Sequence, residues 1–121
     1  MVRLGSLERL GLPFALHSDS PMAPLSPLTL AWNATNRVTI NGKLSGAQER
    51  ISLDAALRAI TIDAAWIVGW ENEIGSIRAG KRADFTVLDA DPYEVGVGQL
   101  KNIGIWGTVF EGELHPLAAA P

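Results

Sequence analysis

With 121 residues, 47% of them apolar and 19% charged, the chain has the composition of one ordinary domain with a single modest core, not of a disordered segment. No apolar run approaches the roughly 20 residues needed to cross a bilayer, and the lack of cysteine excludes disulfides and thiolate metal sites. The net charge is −3 and the ten basic residues are scattered, without the stripe that collects phosphates, so neither nucleic acid nor membrane is expected as a partner. Glu8 and Arg9 interrupt any signal-peptide core, which leaves a cytoplasmic location as the default expectation.

Leu4, Leu7 and Leu10 share one face of a helix over residues 4–10, and Gly11 should stop it. Residues 12–16 are apolar throughout, the pattern of a strand buried on both faces of a parallel sheet. A helix, a glycine and such a strand make one step of an α/β fold. Ser26 and Pro27 start a second helix, the hydroxyl as cap and the proline in the first turn. Leu28, Ala31, Trp32 and Thr35 line one face of it, and it should end near Arg37. Asn41-Gly42 fits either a hairpin turn between residues 38–40 and 43–44 or an ordered loop.

The longest periodic segment predicts a helix over residues 52–68. Ser52 caps it, Asp54 complements the positive end of its dipole, and Gly69 ends it. Leu53, Ala56, Leu57, Ile60, Ala64, Ile67 and Val68 form its apolar stripe. The period then changes. Residues 74–77 and 83–89, joined by Ala79-Gly80-Lys81, read as a β-hairpin, and Asp91-Pro92 marks the next break. A last strand is expected over residues 103–110, followed by a turn at Glu111-Gly112-Glu113 and a low-complexity tail, residues 118–121, expected to fray. Three strands alone leave exposed edges, which normally need cover.

Asp19 lies just past the carboxyl end of the first expected strand, where α/β folds gather their ligand-binding groups. A carboxylate there can ligate a metal or take a proton, although Ser18-Asp19-Ser20-Pro21 is also ordinary turn chemistry. His17, two residues earlier, would point the same way, either orienting Asp19, walling a substrate pocket, or simply filling the core. Asp84, Asp89 and Asp91 read as strand and turn residues. Trp32, Trp66, Trp70 and Trp106 read as core and interface anchors, and Arg37 could reach a substrate carboxylate. His115 falls in an expected tail and has no assigned role.

Taken in order, an apolar run ending H-S-D-S-P, a P-L helix, S-L-D-A-A-L-R-A, and I-G-S-I-x-x-G-K-x-A-D-F-x-V-L-D-x-D-P resemble the amidohydrolase superfamily, in particular its "amidohydrolase 3" branch. The resemblance runs from about residue 11 to about residue 113. It implies an α/β fragment: the last strand and helices of a (β/α)8 TIM-like barrel, residues 1–70, and C-terminal strands of a small β-sandwich, residues 71–121. On this reading Asp19 is the aspartate of the eighth barrel strand, binding the metal and shuttling a proton. The family's other ligands, an H-x-H pair, a lysine or glutamate and two histidines, would lie on strands preceding Met1.

The activity implied is hydrolysis of non-peptide carbon–nitrogen bonds, in amides or cyclic amides as small-molecule substrates. The cofactor implied is a divalent metal, zinc, which activates water by lowering its pKa to about 7. A whole barrel needs roughly 250 residues, so the isolated chain is expected to be inactive and to bind no metal tightly. The alternative is a non-enzymatic α/β interaction module that associates with itself or with a partner chain through its open edges and apolar faces.

Overall fold

The computed structural model describes residues 2–117, so the tail at 118–121 lies outside the described residues. Helix α1, Leu4–Arg9, ends where glycine allows a left-handed turn. Gly11 has φ 66°, its N–H donates to the Glu8 carbonyl at 2.9 Å, and that of Leu12 to the Leu7 carbonyl at 3.0 Å.

The apolar run at residues 12–16 does not become a strand. The Leu16 N–H donates to the Ala59 carbonyl at 3.2 Å. A strand exists only through neighbours, and among the described residues none pairs with this run. It therefore has no regular structure, with Phe14 buried and Leu12 half-exposed.

Helix α2, Pro27–Asn36, is capped by the Ser26 hydroxyl, which accepts the Thr29 N–H at 3.4 Å. It closes at Arg37, whose φ of 58° is left-handed. Residues 38–45 take the loop form, with a single antiparallel bridge, Val38 to Leu44. A 3-10 turn, Ala47–Glu49, follows.

The helix expected over residues 52–68 is two helices, α3 Leu53–Ala59 and α4 Ile62–Ile67. The break falls in a β-branched run, Ile60, Thr61 and Ile62, where crowding against the preceding turn weakens helix preference. The Thr61 hydroxyl donates to the Leu57 carbonyl at 2.7 Å, and Arg58 reaches across the break to Asp63 at 2.6 Å.

The expected first arm of the hairpin, residues 74–77, is irregular. The Ile74 carbonyl and the Ser76 hydroxyl accept from the Lys81 ammonium, and Gly75, at φ 87°, lies against α4. The second arm survives in part as β1, Phe85–Leu88. After it come the single turn α5, Pro92–Val95, capped by Asp91, and a 3-10 segment, Val97–Asn102. Strand β2, Ile105–Phe110, and strand β3, Glu113–Pro116, complete an antiparallel sheet in the order β1-β2-β3. His115 is thus a strand residue opposite Thr108 and not part of a tail.

The core is helical: Leu4, Phe14, Ala31, Ala34, Ile51, Ala56 and Ala59 pack together. Leu100, from the 3-10 segment between sheet strands, is wholly buried among them. Polar contacts secure this crossing. The Trp32 indole donates to the Gly98 carbonyl at 3.0 Å, the Lys101 ammonium sits 3.8 Å from the Trp32 ring, and the Tyr93 hydroxyl donates to Asp54 at 2.5 Å. Among the described residues no helix is long and apolar enough to cross a membrane.

Candidate active-site segment

The segment carrying the candidate residues is held from beneath. Phe14 and Ser18 are buried, while His17 and Asp19 are exposed beside them. Asp19 has φ 51°, an αL conformation that aspartate tolerates better than most non-glycine residues. Its carbonyl accepts the Met22 N–H at 2.8 Å, closing a turn that leaves the carboxylate on the surface. A backbone held in a sparsely populated region is a mark found often at functional sites.

The residues present do not make up a metal site. Among the described residues there is no group of three or more His, Cys, Asp or Glu placed to hold an ion. Asp19 and His17 are at most two donors, and a catalytic zinc takes about three from the protein.

The remaining candidates have structural work. Asp84 accepts the Glu111 N–H at 2.7 Å, and the Asp91 carboxylate takes the Tyr93 N–H at 2.8 Å. Arg37 donates from Nε to the Ser45 carbonyl at 3.1 Å and from Nη1 to the Val2 carbonyl at 3.2 Å, while its Nη2 is buried without a hydrogen-bond partner among the described residues. Of the tryptophans, Trp66, Trp70 and Trp106 are about half-exposed and so do not anchor the core of this chain.

Among the described residues two ionisable groups are perturbed, and both lie outside the segment. The backbone N–H of Ser6, followed by its hydroxyl, holds the Glu49 carboxyl below its usual range. Asp54, through its hydrogen bond, pushes the Tyr93 phenol up. An open groove of about 930 Å³ runs past Leu12, Arg58, Asp63, Trp66, Glu71 and Lys81, but it reaches neither His17 nor Asp19. Residue chemistry and backbone geometry, not concavity, single out the 17–22 turn. Sequence reasoning missed Glu49 and Leu100, which act through partners remote in sequence, and the contacts of Lys81, which lie within ten residues but follow no periodicity.

Residues 2–115 match the Amidohydrolase family. This chain belongs to that family. An N-substituted formamide deformylase of Arthrobacter pascens is 38% identical over 105 residues, which are 87% of this chain and 19% of that protein. A 5-methylthioadenosine/S-adenosylhomocysteine deaminase of Thermoanaerobacter pseudethanolicus is 35% identical over 81 residues, 67% of this chain and 19% of that protein. In fold, an amidohydrolase crystal structure from Thermotoga maritima superposes with a TM-score of 0.63 at 24% identity, over 92% of this chain and 24% of the other. The amidohydrolase segment seen here thus spans about a fifth of the length of the curated relatives it matches. It is a small α/β piece that aligns with a portion of those structures.

Proposed function

We propose that this chain is the C-terminal part of a metal-dependent hydrolase of non-peptide carbon–nitrogen bonds, acting on small amide or cyclic-amide substrates. In that reading residues 1–70 complete the end of a barrel, residues 71–121 belong to a small β-sandwich, and Asp19 is the enzyme's metal-binding, proton-carrying carboxylate. His17 lies beside it as a pocket wall or as the group that orients it. The observation that carries the reading is the family match through residues 2–115, which includes an exposed, left-handed Asp19 at the 17–22 turn. The deformylase and the deaminase among its relatives both act at carbon–nitrogen bonds, which supports the substrate class.

A graft tests this. Residues 2–115 replace the matching segment of the Arthrobacter deformylase, and turnover of N-substituted formamides and zinc content are measured. The expected result is an active graft that loses at least about a hundredfold in kcat when Asp19→Asn is introduced, with folding retained. A graft indifferent to that substitution overturns the role of Asp19.

A second reading, self-association, is favoured by exposed Trp66, Trp70, Trp106, Phe110 and Leu114. Light scattering after size exclusion distinguishes it, and a stable monomer removes it.

A further inference from the structure

The loop of residues 71–82 links α4 to β1 without regular structure, yet its donors and acceptors are closely matched around one atom. The Lys81 ammonium donates to the Glu71 carbonyl, to the Ile74 carbonyl at 3.2 Å and to the Ser76 hydroxyl at 2.7 Å. An ammonium has three N–H groups, and here each meets one oxygen. The three oxygens are drawn from residues 71–76, so this part of the chain closes around a cation where a strand would have closed around a ladder. Peptide carbonyls and a hydroxyl around a monovalent positive charge are the ligand chemistry that replaces a hydration shell.

The closed loop is then gripped from both sides. At Gly75 an added Cβ would come within 2.7 Å of the Ala65 Cβ on α4, so loop and helix touch backbone to side chain. Arg82, next to Lys81, donates its backbone N–H to the Glu73 carbonyl at 2.9 Å. Its guanidinium lies 3.4 Å from Glu111 in the turn between β2 and β3, and 5.5 Å from the Trp70 ring centre. Helices and sheet therefore meet across a joint organised by one charged nitrogen.

We propose that Lys81 is a tethered structural cation: its ammonium templates the 71–82 loop, and removal of its charge, as by acylation of the amine, opens the joint between the helices and the sheet. Arginine would not replace it, because a planar guanidinium cannot present three donors to one compact cage.

The experiment is amide hydrogen exchange on the full chain, read by mass spectrometry. Lys81→Met should speed exchange across residues 71–82 about tenfold or more while leaving α2 unchanged. In Lys81→Ala, propylammonium, which restores the missing atoms, should return the protection, and tetramethylammonium, with the same charge and no N–H, should not. Exchange equal to wild type in Lys81→Met, or no difference between the two salts, overturns the proposal. Should the variants fail to fold, the wild-type chain decides it through acylation rates. Lys81 should react about tenfold slower than the exposed Lys43 in native protein and equally fast in urea. Equal native rates overturn the proposal.

Discussion

The carboxylate of Glu49 receives both the backbone N–H and the hydroxyl of Ser6, each at 2.8 Å, across 43 residues of sequence. The contact fastens α1 to the 3-10 turn. It leaves no slack, since a Cβ at neighbouring Gly5 would come within 2.8 Å of the Glu49 Cα. Arg9 and Arg3 stand 3.5 and 3.7 Å from the same oxygen.

The first prediction is acid sensitivity centred on this residue. The Ser6 N–H, then the Ser6 hydroxyl, then Arg9 and Arg3 favour the ionised form, and together they outweigh desolvation to hold the folded pKa below 4.5. A depressed folded pKa contributes stability that is fully present above the unfolded value and is lost as pH falls through the folded one. Urea midpoints of wild type and Glu49→Gln should therefore differ at pH 7 and converge as the pH drops below 4.5. Parallel curves would remove Glu49 as the cause.

The second concerns Leu100, wholly buried although it lies between sheet strands. Its side chain ties the 3-10 segment to α2, beside the Trp32 indole and its bond to Gly98. Leu100→Ala should cost about 2–5 kcal/mol, from lost transfer energy and an unfilled cavity. Urea unfolding measures it. A cost under about 1 kcal/mol would mean that the segment packs independently of the helices.

The contrast between Leu100 and Ser26 explains what was legible. Ser26, Ser52, Gly11 and Gly69 cap or stop helices by contacts within a few residues, so their meaning is written locally. Residues 12–16 have strand composition, but a strand requires neighbours that local sequence does not contain. The helix break at Thr61 depends on how three β-branched residues crowd one turn, which an apolar stripe conceals. Residues 74–77 were diverted by Lys81, a contact among turns and not a periodicity. In the candidate site, a turn carboxylate at Asp19 was readable from its flanking serines and proline. Its left-handed backbone was not, because αL occupancy is set by what packs around the turn.

The third prediction separates crowding from backbone conformation. Gly75 and Gly80 share positive φ, 87° and 90°, but only Gly75 is confined, with Ala65 and the Ile62 backbone within 3.0 Å of an added Cβ. Gly75→Ala should cost about 1–3 kcal/mol more than Gly80→Ala, whose penalty is conformational alone. Thermal unfolding of the pair checks the order, and equal costs would show that α4 yields.

The last prediction concerns metal. Asp19 and His17 are exposed neighbours with no third donor placed to join them among the described residues, and two donors leave a divalent ion bound mainly by water. After dialysis against metal-free buffer, the purified 121-residue chain should retain less than about 0.1 zinc per molecule and hydrolyse no N-substituted formamide. The active graft described above, by contrast, should hold zinc near stoichiometry and lose part of it with Asp19→Asn. Elemental analysis of all three proteins is the measurement. Stoichiometric zinc in the chain alone would require ligands other than Asp19 and His17, and would transfer the search for the site away from the 17–22 turn.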